Sequence, residues 1–244
     1  MTYFFVEAQS PGAIMIEDST PIDEGKRMSE NAANERELLE RAAAGDAALV
    51  GELFALHRAR LRRMVDLRLD QRLQGRLDPS DVLQEAFLEY ARSLPDYAKN
   101  PETPFYLWLR CITGRKLHAL HRQHLGTRMR DVRREVSLYR GGLPEASSVS
   151  LAAQLLGKLT APSQALLRAE LQLQVQQALN EMEPLDREIL ALRHYEQLSN
   201  RETAQVLGIS ESAASIRFIR ALRRLKDMLQ QIPGLLGDTG KKRR

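Results

Sequence analysis

The sequence is poor in the residue types that several large protein classes need. It has one cysteine, Cys111, which excludes an internal disulfide or a cysteine-rich zinc site and indicates a reducing compartment. Aromatic residues make up 5% of the chain, which argues against a β-sandwich. No apolar run approaches the roughly 20 residues of a membrane span, and the N-terminus lacks the basic and apolar regions of a signal peptide. These absences predict a cytoplasmic protein.

The sequence also lacks the usual marks of enzymatic chemistry. It contains no Gly-rich phosphate loop, no nucleophile elbow and no cluster of metal ligands. His118, His121 and His124 lie close together, but no cysteine or acid stands at ligand spacing, so they are expected to line a groove rather than bind metal. We therefore expect no catalytic residue, no metal, no cofactor and no enzyme activity.

What the chain does contain is helical periodicity and clustered charge. Its 244 residues include 36 Lys and Arg and 32 Asp and Glu, with a net charge of +4 and a pI near 9.3. Apolar residues recur at three- and four-residue steps, which predicts an all-α protein of two small helical domains joined by a flexible linker. The predicted divisions are a disordered acidic leader (1–34, with Met28 a candidate natural start), a first domain (35–138), a Gly/Pro/Ser-rich linker (139–169), a second domain (170–231) and a basic tail (232–244).

Residues 198–225 have the pattern of a helix-turn-helix. Ser199 and Glu202 form a predicted capping box at the start of the first helix. Ala204 is small where two helices must cross closely, and Gly208 tolerates the left-handed backbone of a tight turn. Ser210 then caps the second helix. This combination is typical of a DNA-binding unit.

The second helix of this unit has one apolar face and one cationic face. The apolar positions recur at helical spacing and are Ala214, Phe218, Ala221, Leu222, Leu225 and Leu229. Between Ser212 and Lys226 the charged residues are all basic, namely Arg217, Arg220, Arg223, Arg224 and Lys226. A solvated basic face on an ordinary helical hairpin is the plainer interpretation, but the caps, the turn and the spacing together favour a helix that reads DNA.

A predicted helix in the first domain begins at Asp78-Pro79 and ends at Pro95. Asp81, Gln84 and Glu85 share its exposed face, which from spacing alone is either plain surface or a partner site. The prolines at positions 95, 101 and 104 then predict a loop over residues 96–104 that is neither helix nor central strand.

Arginines accumulate in two stretches of the first domain. The first is Arg58, Arg60, Arg62, Arg63, Arg68, Arg72 and Arg76, which is either a solvated face or a path for nucleic acid. The second lies beside the aromatic residues Phe105 and Trp108 and comprises Arg110, Arg115, Lys116, Arg122, Arg128, Arg130, Arg133 and Arg134. Aromatic rings beside cations suit single-stranded nucleic acid, although core packing explains at least part of Trp108.

Two segments resemble the sigma-70 family of RNA polymerase sigma factors, in its compact extracytoplasmic-function type. DVLQEAFLEY with PFYLWLRCITGRK resembles the second conserved region of the family, and LDREILALRHYEQLSNRETAQVLGISESAASIRFIRALRRL resembles the fourth. With the preceding helices the resemblance covers about residues 35–135 and 170–229. It implies a bacterial protein that binds core polymerase, reads the −35 element as duplex, and melts and captures the −10 element.

The resemblance also assigns roles to residues. Asp81, Gln84 and Glu85 fall where sigma factors bind the coiled coil of the largest polymerase subunit, and the flap of the second-largest subunit is a further expected contact. The implied −10 residues are Asp96, Tyr97, Lys99, Asn100, Trp108, Arg115 and Arg122. The implied −35 residues are Ser212, Ser215, Ile216, Arg217, Ile219, Arg220 and Arg224, with Arg217 near phosphate. Promoter DNA is thus an expected partner, and an anti-sigma protein is a further candidate.

The sequence departs from the family pattern at two places, and one rival interpretation stays open. Ser215 and Ile216 replace a lysine followed by a small polar residue, so base recognition is expected to use thymine methyls and Arg220. Arg115 stands where relatives often have asparagine. The rival is a two-domain helix-turn-helix regulator that senses a ligand and does not bind core polymerase. It would need a closed apolar pocket in the first domain.

Overall fold

The helical spacing of the sequence is realised along the chain. The computed structural model describes residues 37–73, 75–125, 143–159, 165–232 and 235. Helices and turns account for the structure of these ranges, and no strand occurs within them, so the all-α prediction is confirmed. The leader 1–34, with Met28, lies outside the described residues, as do Arg128 to Arg134 and all but two positions of the tail.

Nine helices are assigned within the described ranges. The first, α1, covers residues 37–43. The others are α2 (Ala47–Arg68), α3 (Pro79–Lys99), α4 (Phe105–Leu125), α5 (Ser148–Leu159), α6 (Ala165–Glu181), α7 (Pro184–Leu190), α8 (Asn200–Leu207) and α9 (Glu211–Gln230). A 3₁₀ turn over Gln71–Leu73 follows α2, and a π-helical turn over Ala191–Tyr195 continues α7.

Side-chain caps begin α2 and α3, and α3 starts where the sequence predicts. The carboxylate of Asp46 accepts hydrogen bonds from the amides of Ala48 (3.1 Å) and Leu49 (3.3 Å), two groups that have no partner inside the helix. Asp78 accepts from the amide of Ser80 at 2.7 Å, and proline occupies the first helical position of α3.

Helices α2, α3 and α4 enclose the core of the N-terminal half. Leu53, Leu61, Met64 and Leu109 are fully buried between them. Tyr90 is also buried, and its hydroxyl donates to the carbonyl oxygen of Val50 at 3.2 Å. The buried aliphatic residues therefore hold three helices together, and the polar tip of the tyrosine has a partner.

Helices α6 to α9 enclose a second core in the C-terminal half. Val175 and Leu179 of α6 and Ile189 of α7 are buried against Ala214 and Ala221 of α9. The two alanines are the small residues of the apolar face of α9, so neighbouring helices can approach it closely. The predicted apolar face of α9 is confirmed by this packing.

The connection between the halves differs from the flexible linker that the composition predicted. Residues 148–159 form α5, which buries Leu151, Ala152, Leu155 and Leu156 against the second core. These four positions lie on one helical face, and that periodicity outweighs the Gly/Pro/Ser content of the flanking residues. The amide of Ser147 also donates to the carbonyl oxygen of Leu67 at 2.9 Å, so this segment contacts both halves.

Candidate nucleic-acid and partner surfaces

The helix-turn-helix forms with the caps that its sequence predicts. The hydroxyl of Ser199 accepts from the amide of Glu202 (3.1 Å), and the Glu202 carboxylate accepts from the amide of Ser199 (2.7 Å). Gly208 ends α8 with a φ of 66°, in the left-handed region that glycine enters without strain. Ser210 then accepts from the amide of Ala213 at 3.2 Å. The turn and both helix starts are therefore fixed locally.

The face of α9 opposite the core is open to solvent. The exposed predicted −35 residues are Ser212, Ser215, Ile216, Ile219, Arg220 and Arg224. Ile216 and Ile219 are large apolar side chains with 51% and 46% exposure, on a face that also carries cations. Arg220 forms no hydrogen bond or ion pair with any described residue. Such a face can enter a major groove, where apolar groups meet thymine methyls and arginine meets guanine.

Arg217 lies at the edge of this face and is half-buried. Its Nη1 is 2.8 Å from an oxygen of Asp186 and 3.4 Å from an oxygen of Glu183, both on the neighbouring segment around α7. Arg224 is also 3.9 Å from Asp186. An anionic ligand would therefore have to compete with these carboxylates for Arg217, whereas Arg220 has no such competitor.

The predicted loop over residues 96–104 is wrong in its first part. Helix α3 continues through Pro95 to Lys99, so Asp96, Tyr97 and Lys99 lie on its last turn and only residues 100–104 form the loop. A proline inside a helix removes one backbone hydrogen bond. Here the ring of Tyr97 stacks on Trp108 at 4.1 Å and 15°, and its hydroxyl donates to the carbonyl oxygen of Thr103 at 2.6 Å. Tertiary packing thus keeps the last turn helical.

Around Trp108 the structure brings some of the predicted −10 residues together. Trp108 is half-buried among aromatic rings, which agrees with the prediction that core packing explains much of its presence. Asp96 pairs with Lys99 at 2.8 Å, and the side-chain Nδ2 of Asn100 donates to the carboxylate of Glu102 at 3.0 Å. This small polar rim lies at the end of α3.

The remaining −10 candidates lie along α4. Trp108, Arg115 and Arg122 are spaced by seven residues, which places them on one stripe of the helix about 10 Å apart at 1.5 Å per residue. Both arginines are exposed. The stripe starts at the Tyr97 stack and presents cations along its length, as a path for a nucleic-acid backbone requires.

The predicted polymerase-binding face lies on the first half of α3. Asp81, Gln84 and Glu85 are all exposed, and Leu88, one turn further on, is 50% exposed. Asp81 has a second role that spacing did not reveal: its carboxylate accepts from the amide of Asp78 at 2.8 Å and completes a capping box. Glu85 has no such structural bond among the described residues.

Sequence reasoning missed a buried cluster of four charged side chains between the halves. Arg68 and Arg110, which the sequence grouped with the basic stretches, are buried, so their interpretation as nucleic-acid contacts is wrong. Arg110 Nε donates to Glu196 at 2.8 Å, and Arg68 bonds both Glu196 and Glu188. A signal was available, because Arg68 continues the apolar stripe of Leu61, Met64 and Val65 at helical spacing.

The buried arginines determine the charge state of Glu196. Burial opposes its ionisation, but Arg110 and Arg68 outweigh that effect and hold the pKa of Glu196 below its ordinary value. The π-helical turn contributes to this placement, since the amide of Glu196 donates to the carbonyl oxygen of Ala191 at 2.9 Å and turns the chain at the interface.

Neither a metal-binding cluster nor a membrane-spanning helix occurs among the described residues. Within the described ranges, no three His, Cys, Asp or Glu side chains lie close enough to hold a metal ion. His121 instead accepts a hydrogen bond from the amide of Asp70 at 3.3 Å. The helices of these same ranges include none with the length and apolar character that a membrane span requires.

Known sigma factors are similar to this chain in sequence. The family model for sigma-70 region 4 matches residues 172–225, which contain α7, the π-helical turn, the helix-turn-helix and the exposed face of α9. The chain is also 28% identical over 198 residues to the RNA polymerase sigma factor CnrH of Cupriavidus metallidurans, across 80% of this chain and 94% of the relative. Over these ranges the chain is similar to sigma-70 family sigma factors. The predicted resemblance to sigma factors of the extracytoplasmic-function type is confirmed.

Other known proteins are similar to this chain over shorter or more divergent stretches. It is 40% identical over 53 residues to the RNA polymerase sigma-E factor of Streptomyces antibioticus, across 22% of this chain and 29% of the relative. The solved complex of CnrH with the cytosolic domain of CnrY matches 80% of this chain and 97% of CnrH, at 25% identity and a TM-score of 0.48. The complex of RpoE with the anti-sigma factor NepR from Bartonella quintana matches 74% and 96%, at 18% identity and 0.41.

Proposed function

We propose that this chain is a bacterial sigma factor that binds core RNA polymerase and directs promoter-specific transcription initiation. The observation that carries the proposal is the exposed face of α9, which lies inside the match to sigma-70 region 4 and presents Ile216, Ile219 and Arg220 on a fully capped helix-turn-helix. The protein acts by binding, without catalysis of its own, and works with polymerase in the cytoplasm.

In this proposal α9 reads the −35 element as duplex DNA. Ser212, Ser215, Ile216, Ile219 and Arg220 contact the major groove, where the isoleucines meet thymine methyls and the unpaired guanidinium of Arg220 bonds a guanine. Arg217 and Arg224 lie toward the phosphates, and Asp186 limits their contribution because it already pairs with Arg217.

The proposed −10 surface is the end of α3 together with the exposed stripe of α4. The rim consists of Asp96, Tyr97, Lys99 and Asn100. Trp108 packs against it by stacking on Tyr97. Arg115 and Arg122 extend the surface as phosphate contacts. Trp108 already stacks on Tyr97. An unpaired base is therefore expected to stack on the solvent-facing side of this pair.

The proposed polymerase contact is the exposed face of α3 with Asp81, Gln84 and Glu85, which binds the coiled coil of the largest subunit. The C-terminal half, proposed as residues 170–231, binds the flap of the second-largest subunit, and the N-terminal half, proposed as residues 35–138, carries the −10 function. An anti-sigma protein is a further proposed partner.

The proposal is tested by mixing the purified chain with core polymerase and measuring co-elution on a sizing column. A sigma factor co-elutes and makes initiation promoter-dependent, whereas a ligand-sensing helix-turn-helix regulator binds operator DNA alone and stays separate from core. Co-elution lost on adding excess housekeeping sigma factor would show that the two compete for one site. An elution profile that core polymerase leaves unchanged would contradict the proposed function.

A further inference from the structure

The buried cluster of Arg68, Arg110, Glu188 and Glu196 joins the two halves of the chain. The arginines come from α2 and α4 of the N-terminal half, and the glutamates come from α7 and the π-helical turn of the C-terminal half. The arginine and Glu196 side chains have at most 1% exposure, and Glu188 has 9%. Charges this deeply buried are tolerated only with opposite charges beside them, so the cluster exists only while the halves are packed together.

Apolar contacts and a rim of polar pairs surround the cluster. Leu192, Leu198 and Val206 of the C-terminal half are buried in the core of the N-terminal half. At the rim, Arg60 Nη2 is 3.2 Å from Glu202, and Arg63 Nη2 donates to Gln197 at 2.7 Å. The contact therefore has the anatomy of a protein interface, with an apolar centre and a polar edge.

Residues 143–147, which precede α5, contact both halves at one side of this interface. The amide of Ser147 bonds Leu67 of the N-terminal half, and the amide of Ala146 donates to Glu188 at 3.4 Å. Leu143 lies directly on Gly114, where a Cβ would come within 2.5 Å of its side chain. The connection between the halves is thus part of the closed arrangement.

The energetics of the cluster suit an interface that opens. Within the closed chain, Arg68 Nε and Arg110 Nη1 have no hydrogen-bond partner among the described residues. When the halves separate, all four charges regain water, which offsets the lost ion pairs. Removing one partner while the halves stay packed is different, because it leaves a buried charge without compensation. The intact cluster therefore specifies how the two halves pack together. It adds little to the free energy needed to separate them.

The closed arrangement conflicts with the geometry of a promoter, given the proposed function. The −10 and −35 elements lie about 25 base pairs apart, which is about 85 Å of straight duplex at 3.4 Å per base pair. A compact body of roughly 170 residues has a radius of gyration of about 16 Å and is about 40 Å across. The exposed faces of α4 and α9 cannot reach both elements while the halves are packed together.

We propose that the packed arrangement is a resting conformation, latched by Arg68, Arg110, Glu188 and Glu196, and that the halves must separate at this cluster before the chain can occupy a promoter. This inference rests on the proposed function. Both DNA-facing surfaces are already exposed in the closed chain, so closure prevents their simultaneous use rather than covering either one.

A reversible cross-link tests whether opening is required. Cysteines are placed at the rim (Arg63→Cys and Gln197→Cys) in a Cys111→Ser background, and a bismaleimide with an internal disulfide joins them. The matched control is the same protein treated with a monofunctional maleimide. With core polymerase, the cross-linked chain should give about one tenth or less of the control's promoter-specific transcript, because no fraction of it can open, and dithiothreitol should restore the transcript. Equal transcription by the cross-linked and control chains would overturn the proposal.

The control also separates this inference from the function it rests on. A control chain that binds core and initiates normally sustains the proposed function, whatever the cross-link does. A control chain that fails to initiate at any promoter removes the proposed function, and the inference falls with it.

A second measurement tests the latch in the full chain without polymerase. Spin labels at two exposed positions, Arg92→Cys and Gln230→Cys in the Cys111→Ser background, report the distance between the halves. Glu196→Gln keeps the shape of the side chain but removes the shared charge, and should convert a narrow short distance into a broad long one. Glu202→Gln, at the partly exposed rim, is the matched control and should leave the short distance in place. A short distance that persists in Glu196→Gln, with helical content intact, would show that the cluster does not hold the halves together.

Discussion

At the residue scale, two arginines on α9 make different contacts, so replacing each of them should change DNA binding in a different way. Arg220 is exposed and has no partner among the described residues, so Arg220→Ala should cost about 1 to 3 kcal/mol at one preferred base and relax specificity there. Arg217→Ala should weaken binding to every sequence and reduce the salt slope by about one, since one phosphate contact is lost.

Both variants are assayed as polymerase holoenzyme on promoters with a varied −35 element. The Asp186 pair will make the Arg217 effect smaller than that of a free arginine, because this guanidinium must leave a carboxylate to reach DNA. If Arg220→Ala weakens binding to all promoters by the same factor, the side of α9 that contacts the bases has been assigned incorrectly.

Glu85 is the cleanest test of the polymerase face. Glu85→Lys should abolish co-elution with core and leave helical content unchanged, because the side chain is exposed and interfaces concentrate energy in few residues. Asp81→Lys is a poorer probe, since it also removes a capping bond worth about 0.5 to 2 kcal/mol. Glu52→Lys, at an exposed acid on α2 outside both proposed polymerase contacts, is the matched control. Equal affinity for core in Glu85→Lys and the control would remove α3 from the interface.

Glu196 makes the packing of the halves sensitive to acid. Its folded pKa lies below the ordinary value of 4.5, so its stabilising contribution is present above pH 4.5 and is lost as the pH falls through the folded pKa. The groups that face it are Arg68, Arg110, Tyr106 and, through Arg68, Glu188. The spin-label distance should stay constant from about pH 9 to about pH 6 and lengthen only in more acidic solution. A transition near neutral pH would contradict this assignment.

At the scale of elements, the sequence located most helices because their starts are local chemistry. Asp46, Asp78, Ser199 and Ser210 cap the following helices through bonds to amides two or three residues away, which a spacing pattern can predict. The prediction that α3 ends at Pro95 was wrong because the contact that keeps the helix intact there is not local. The stack of Tyr97 on Trp108 joins residues from different helices, and no local pattern contains it.

The same distinction explains the outcome for the candidate sites. Exposure of α9 and of Asp81, Gln84 and Glu85 follows from helical faces, which periodicity shows. Arg68 and Arg110 looked like part of a basic surface because their partners, Glu188 and Glu196, lie 120 and 86 residues away from them respectively. Charge counting along the chain cannot pair residues at such separations.

The end of α3 carries its own prediction. Replacing residues 96–103 by the corresponding segment of another sigma factor should change which promoters open, because the rim residues and the Tyr97 stack both lie there. A control swap of 70–77, a similar length of chain between α2 and α3, should leave promoter choice unchanged. Permanganate footprints on a promoter panel report the melted bases. Identical footprints before and after the 96–103 swap would reduce this segment to a connector.

At the scale of the whole molecule, the chain combines two exposed surfaces, which we propose bind DNA, with a packed interface between the halves that bear them. In this proposal the two surfaces need an open chain, whereas the interface favours a closed one. Core polymerase can supply the free-energy difference between the closed and the open chain if it binds the α3 face and the C-terminal half at separated points. A partner shifts a two-state equilibrium only by its preference for one state. Binding of polymerase and reading of a promoter are thereby coupled.

The proposed sigma-factor function is tested most directly by run-off transcription by core polymerase on a library of promoter fragments, with and without the purified chain. Core alone should give no specific start, and adding the chain should produce transcripts from a subset sharing −35 and −10 sequences, with permanganate-reactive thymines at the −10 element. Arg220→Ala should change membership of that subset rather than only its yield. Transcripts that are the same with and without the chain would contradict the proposed function.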